Sequence, residues 1–256
     1  LSGVYKEFDE IYDSTLFASH LCSTLIIADQ ELEYVIRGLY ETEDKTILYD
    51  FAAIDADVLG SMYEQYLGHI HKKSKDVKNT SKRKEQGIYY TPRFVVDYII
   101  KNTVGRYIKE HPTNYKKMTI IDPACGSGSF ILSALDYLVS LDVDLDNRQK
   151  KMDYVYGKGK LSTERMKYLK NCIFGVDLDH QAVDVTQLNL MLRAAEKKER
   201  LPSLQSNLQQ GNSLITKKEF SDEFFDWETK FKTVEQGKFD VVIGNPPYLS
   251  IQTIHD

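Results

Sequence analysis

Residues 118–138 leave this chain little choice of fold. Met118-Thr119-Ile120-Ile121 is a short apolar run with strand character, and it runs into Asp122-Pro-Ala-Cys-Gly-Ser-Gly-Ser-Phe130. Ile131, Ala134, Leu135 and Leu138 then recur at helical spacing. Strand, glycine-rich turn and helix in that order open a doubly wound α/β sheet, in which ligands sit at the carboxyl ends of the strands. Gly126 and Gly128 let the backbone come close to a ligand, and the small Ala124, Cys125, Ser127 and Ser129 leave the turn open. Ile131 stands where G-x-G-x-x-G needs its third glycine, and no Gly-Lys-Ser/Thr follows. The turn is therefore neither a nicotinamide fingerprint nor a P-loop. Asp122 ends the strand as a carboxylate, which suits an ammonium group better than a pyrophosphate.

Three more strands are expected downstream. Cys172 to Asp179 gives an apolar run with an acid, Asp177, at its tip, and such a carboxylate takes both hydroxyls of a ribose. The helix behind it carries Ala182, Val185, Leu188, Leu192 and Ala195 at core spacing and stops before Pro202. Asn207 to Gln210 forms a weaker strand closed by Gly211-Asn212-Ser213-Leu214. The Asn212 amide both donates and accepts, so it is equipped to read an adenine edge, or simply to make a turn. A polar, aromatic stretch from Phe220 to Phe231, with Trp227, leads to the fourth strand, Phe239 to Ile243. That strand ends in Gly244-Asn245-Pro246-Pro247-Tyr248. An amide oxygen and a carbonyl there are flanked by proline nitrogens that cannot donate, and an aromatic face follows. Such a tip is equipped to grip a planar NH2 group, or is simply a strand followed by a rigid loop. Parallel strands with right-handed crossovers bring all four tips to one edge.

Ahead of the sheet, Gly87-Ile-Tyr-Tyr-Thr-Pro-Arg93 precedes a helix expected to run through Val95, Tyr98 and Ile99 to about Lys109. Thr91 is placed to N-cap it and Pro92 to fill its first position. The stretch from His71 to Gln86 holds seven Lys or Arg against Asp76 and Glu85, and reads as a solvated linker or a phosphate-contacting loop. The first seventy residues read as a packed helical module. Helical spacing marks Val4, Phe8, Ile11 and Tyr12, a second apolar stretch runs from Leu16 to Ile27, and helix extends to about Leu39. Leu59, Met62, Tyr63, Tyr66, Leu67 and Ile70 form one face of a later helix. The expected division is 1–86, helical with the basic linker at its end, and 87–256, the sheet domain.

An apolar content of 42% and a charged content of 28% fit a globular protein with a sizeable core. The chain has no apolar run near the roughly 18 residues of a membrane span, and no leader pattern. Three scattered cysteines and six histidines without ligand spacing argue against a disulfide framework or metal site and for the cytoplasm. A net charge of -5 is unusual for a compact DNA-binding module, though not for an enzyme whose DNA contacts lie on one patch or another domain.

Together the motifs resemble those of γ-class S-adenosylmethionine-dependent DNA adenine-N6 methyltransferases, with the Tyr-Thr-Pro element ahead of the glycine turn. More narrowly, 122–130, 87–92 and Leu59-Gly-Ser-Met-Tyr-Glu64 are similar to type IIG restriction–modification enzymes and type I modification subunits. The resemblance covers about residues 55–250. It implies a Rossmann-like methyltransferase sheet, of which the first four strands are present, preceded by a helical domain. It also implies S-adenosyl-L-methionine as cofactor. Tyr90, Thr91 and Pro92 would close over its methionine end and Asp122 hold its amino group, with Ala124, Gly126 and Gly128 lining the turn. Asp177 would take the ribose hydroxyls, Leu178 pack on the adenine and Asn212 read its amine, although the family often has Asp there.

Asn245, Pro246, Pro247 and Tyr248 would then be catalytic. Accepting both N–H bonds of an adenine amine, through Asn245 Oδ1 and the Pro246 carbonyl, frees the nitrogen lone pair for attack on a methyl group. Tyr248 would stack on a base flipped from the duplex. No metal is required. Double-stranded DNA is the implied partner, with a specificity subunit or a fused target-recognition domain and nuclease. Two other readings stand beside this one. Asn-Pro-Pro-Tyr also serves methylation of a protein glutamine amide. Alternatively, this stretch is a cofactor-binding piece or assembly subunit, inactive alone, because four strands are counted where such sheets have about seven and only eight residues follow Tyr248.

Overall fold

A computed structural model describes residues 26–41, 46, 48, 58, 62, 91–144, 160–194, 203–217, 219, 224–232, 234 and 238–246. Side chains at 142–144 and 160–164 are left aside. The expectations for 1–25, for the basic stretch 71–86 and for most of 49–70 lie outside the described residues. So do Tyr90, Pro247 and Tyr248.

The elements are α1 (Asp29–Tyr40), α2 (Arg93–Asn102), α3 (Val104–Glu110), β1 (Ile120–Asp122), α4 (Ser129–Asp144), α5 (Lys160–Asn171), β2 (Ile173–Asp177), α6 (His180–Ala194), β3 (Leu208–Gln210), α7 (Trp227–Lys230) and β4 (Val241–Val242). The strands make one parallel sheet in the order β3-β2-β1-β4. Ile120 lies opposite both Ile173 and Val241, and Gly175 opposite Leu208. Strand order therefore reverses at β1. β2 and β3 build out on one side and β4 returns to the other, so the strand tips of β1 and β4 flank a topological switch point, where open α/β sheets bind ligands.

Alternation along the strands divides the core in two. Ile120, Ile173, Val241 and Ile243 join Val96 and Ile100 of α2, Ile131, Leu135 and Leu138 of α4 and Leu190 of α6. Ile121, Phe174 and Val176 face the other way, onto Phe225, Phe231 and Val234, with Trp227 and Phe239 against them. The aromatic stretch that reads as a connection is thus the cover of the sheet's second face. Phe174 meets Phe231 edge to face at 5.8 Å, the arrangement ring quadrupoles favour.

Polar side chains fix the layers. Asn207, 2% exposed, donates its Nδ2 to the carbonyls of Lys170 and Ile173, both at 2.8 Å, tying the end of α5 and the start of β2 to the approach of β3. Asp240 accepts from Thr119 N at 2.8 Å and from Tyr107 Oη at 2.8 Å, anchoring the entry of β4 beside that of β1. Burial, with the Asp240 contact, pushes the Tyr107 phenol up to about 12, so it stays a donor. Arg193 of α6 forks onto Asp136 of α4, with Nη2–Oδ2 at 2.6 Å and Nε–Oδ1 at 3.0 Å.

Several local expectations are corrected. The helix behind Pro92 breaks at Thr103 into α2 and α3. Its buried face is Val96 and Ile100; Tyr98 is 70% exposed. Pro92 is the capping residue, and no side chain caps α2, so Thr91 does not have the capping role. On α6 the expected Ala182 is buried, together with Val183, Thr186, Gln187, Asn189, Leu190, Met191 and Ala194, while Leu192 is exposed. The strand after it starts at Leu208, because Asn207 is spent on the contacts above. Helix α1 ends near the expected Leu39 but buries none of its residues, so the described part of the N-terminal region does not show a packed module.

Candidate active site

Three strand tips and one turn converge at the carboxyl edge of the sheet. Asp122 ends β1, Asp177 ends β2, Gly211-Asn212 follows β3 and Gly244-Asn245 lies just past β4. Residues far apart in sequence tie them together. Cys125 N donates to Val176 O at 2.9 Å, laying the glycine turn across the tip of β2. Gly126 N donates to Asp177 Oδ2 at 2.8 Å, and Gly211 N to Asp177 O at 2.9 Å. Helix α6 grips the same turn from below: Thr186 Oγ1 donates to Gly126 O at 2.7 Å and Asn189 Nδ2 to Ser127 O at 3.0 Å. These two polar residues interrupt the buried stripe of α6, and explain why its apolar spacing misleads.

The turn needs its glycines for different reasons. Gly126 and Gly128 both have positive φ, +54° and +90°, which side chains rarely adopt. A Cβ at 128 would also meet Thr186 Cγ2 at 2.9 Å, whereas a Cβ at 126 would meet nothing within 4 Å. Space therefore opens above Gly126, on the side where a ligand could lie. Gly244 makes a close approach, since a Cβ there would overlap Asp122 Oδ1. The backbone leading to Asn245 rests directly on the Asp122 carboxylate.

Asp122 is 1% exposed and accepts from Ala124 N at 3.0 Å. Burial raises its carboxyl to about 7, against the Ala124 hydrogen bond, and the nearby Asp177 charge adds to the rise. Burial raises Asp177 as well, opposed by hydrogen bonds from Asp179 and Gly126 N–H. Among the described residues no cation answers either acid. Two desolvated carboxylates spaced by an open glycine turn fit a ligand that brings its own positive charge and hydroxyls. Leu178, next to Asp177, is 63% exposed, an apolar side chain at the same edge. Asn212 Oδ1 accepts from Leu214 N at 3.1 Å, an Asx turn, and its Nδ2 has no acceptor among the described residues. Burial also pushes the Cys125 thiol well up, so it is no nucleophile. No group of His, Cys, Asp and Glu among the described residues could hold a metal.

At the other end, Asn245 is half-buried and donates Nδ2 to Thr91 Oγ1 at 3.1 Å. Thr91 thus meets the β4 tip across the whole domain. Pro246 follows, exposed. The structure brings together Thr91, Pro92, Asp122, Ala124, Gly126, Gly128, Asp177, Leu178, Asn212, Asn245 and Pro246. The sequence reading missed Thr186, Asn189 and Gly244. Polar residues at positions 186 and 189, on one stripe with Val183 and Leu190, were the signal for the first two.

Fold and site define a class: a Rossmann-like parallel sheet with an acid-tipped, glycine-turned edge at its switch point. Comparison with known proteins narrows the class. Residues 171–256 match the family described as Eco57I restriction-modification methylase. The type II restriction enzyme and methyltransferase RM.Eco57I of Escherichia coli is 30% identical, over 96% of this chain and 26% of its own length. The adenine-specific methyltransferase PglX of Streptomyces coelicolor is 26% identical, over 82% of this chain and 18% of its own. The type I restriction enzyme MjaIX methylase subunit of Methanocaldococcus jannaschii is 29% identical, over 75% of this chain and 23% of its own. The chain is therefore similar to restriction–modification methylases over most of its length, and spans about a quarter or less of the length of each of these relatives. No helix among the described residues is long and apolar enough to cross a membrane.

Proposed function

We propose that the protein is a DNA methyltransferase of a restriction–modification or related defence system, acting in the cytoplasm on N6 of adenine with S-adenosyl-L-methionine. The observation that carries this reading is the packing of Gly244 on Asp122. It sets Asn245, a side chain equipped to accept from an amine, immediately beside an acid suited to the cofactor's ammonium. The relative named as adenine-specific supports the choice of base.

When bound, S-adenosyl-L-methionine supplies a methyl group activated by positive sulfur. Asp122 holds its amino group, Asp177 its ribose hydroxyls, and the turn at Ala124, Gly126 and Gly128 lets it lie close. Leu178 packs on its adenine and Asn212 Nδ2 reads that ring's edge. Tyr90 and Pro92 close the methionine end. The target amine is a poor nucleophile because its lone pair is delocalised into the ring. Asn245 Oδ1 and the Pro246 carbonyl accept its two N–H bonds and draw the nitrogen toward tetrahedral geometry, which localises the lone pair. Pro247 denies the loop a competing donor, and Tyr248 stacks on the flipped base. Positioning and electrostatics carry the rate. Residues 87–256 are then the transfer domain, residues 1–86 its helical lead, and target recognition and any nuclease belong to further segments or subunits. The 256 residues alone are expected to be inactive.

The test uses the complete protein, a methyl-labelled donor, and either unmethylated duplex DNA or a glutamine-bearing protein. Label is expected in N6-methyladenine; label in a protein glutamine instead would overturn the choice of substrate. Asn245→Ala should abolish transfer and spare cofactor binding. An equal loss of both in a binding titration would remove Asn245 from the transfer step.

A further inference from the structure

Thr91 is the residue whose observed partner differs from every role the sequence offers it. It does not cap α2, and its hydroxyl is engaged by the side chain of a residue 154 positions away. We propose that Thr91 is a positioning residue for methyl transfer: by accepting from Asn245 Nδ2, it tethers the amide at the β4 tip, where its carbonyl oxygen meets the incoming amine. This deepens the methyltransferase reading above and rests on it.

The two ends of an asparagine amide are nearly equal in shape and opposite in hydrogen bonding. With Oδ1 toward the target amine, an acceptor meets donors; after a half-turn, an NH2 group would face an NH2 group. In the structure the amide stands with Nδ2 on Thr91 Oγ1 at 3.1 Å, a tether that fixes where the side chain sits. This bond occupies Nδ2, while Oδ1 has no donor among the described residues and is left for the substrate. Thr91 stands two residues before α2, whose Val96 and Ile100 are buried in the core, so the tether is anchored beside a packed helix.

Three variants of the complete protein test this. Thr91→Val keeps the branched shape and removes the acceptor. It should lower kcat for methylation of duplex DNA by about ten- to a hundredfold while cofactor Kd moves less than about twofold. Thr91→Ser retains the hydroxyl and should restore kcat. Thr91→Ala gives a second hydroxyl-free side chain, expected to match Val, should valine disturb folding. A valine or alanine variant with wild-type kcat overturns the proposal. So does a cofactor Kd that rises by the factor by which kcat falls, since Thr91 would then be a cofactor contact. Absence of transfer to DNA by the wild-type protein would instead overturn the methyltransferase reading, and this inference with it.

Discussion

The two ends of the proposed site are built differently. The end assigned to the cofactor is held from several sides. Cys125 N is bound to β2, Gly126 N to Asp177, and the Gly126 and Ser127 carbonyls to Thr186 and Asn189 of α6. The transfer end hangs on a two-residue strand at the edge of the described sheet, one side-chain bond from Asn245 to Thr91, and the contact of Gly244 with Asp122. A turn that binds a ligand through fixed donors and acids gains from being locked beforehand, because nothing then reorganises on binding. A tip that admits and releases a base gains from few attachments. Gly244 is where the two designs meet, so it is the place to break them together.

Gly244→Ala should have the largest effect. Its Cβ would overlap Asp122 Oδ1, so either the carboxylate moves or the β4 tip does. Both outcomes damage function. Single-turnover methylation should fall by about a hundredfold or more, as for a misplacement near 1 Å, with cofactor affinity falling alongside. Unchanged cofactor affinity would show the two ends to be independent. That result would take from the site the contact on which its assignment rests.

Next in size is the pH dependence at Asp122. Its carboxyl stands at about 7 in the folded protein because it is buried. A ligand ammonium needs the ionised form. Below pH 7 a proton must therefore leave on binding, and cofactor affinity should weaken by about tenfold per pH unit. The folded protein binds this proton more tightly than the unfolded chain does. Asp122 therefore makes stability fall as pH rises from the ordinary carboxylate range through about 7, opposite to an ion-paired acid. Asp122→Asn should flatten the stability slope and weaken binding at pH 8. Calorimetric titration across pH 5.5 to 8, about the window in which this carboxyl ionises, measures the first slope. A flat profile would mean that Asp122 does not meet a cation.

The chemistry of the edge was more legible than the packing behind it. Asp122, Asp177 and Asn245 stand at or just past strand ends, a place that the apolar run and the turn after it mark in the sequence, and the structure puts all three at one edge. The helices were harder to read because spacing arguments count apolar residues. On α6 the buried residues include Thr186 and Asn189, which bind the glycine turn, while Leu192 points out. On α2 a one-residue rotation exchanges Tyr98 for Val96 and Ile100. Phe225, Trp227, Phe231 and Phe239 show no period, since a loop that covers a sheet is shaped by the sheet rather than by its own repeat. Thr91 looked like a cap because a threonine before proline and a helix usually is one; its partner, Asn245, can be found only in three dimensions.

The finest distinction lies within the glycine turn itself. Gly128→Ala and Gly126→Ala put a Cβ on backbones of similar strain but different surroundings. At 128 the new atom meets Thr186 Cγ2 at 2.9 Å, and Thr186 is completely buried with its hydroxyl committed to Gly126 O. That substitution should act on the protein, costing about 2–3 kcal/mol from strain and overpacking, seen as a lower denaturation midpoint. At 126 the Cβ enters open space, so only the left-handed backbone resists it, at about 1–2 kcal/mol. If the space above Gly126 belongs to the cofactor, Gly126→Ala must lose more binding than stability, and Gly128→Ala the reverse. Equal losses in both measurements for Gly126→Ala would mean that the ligand does not pass over this residue. The rigid end of the pocket would then hold its cofactor through the two acids alone.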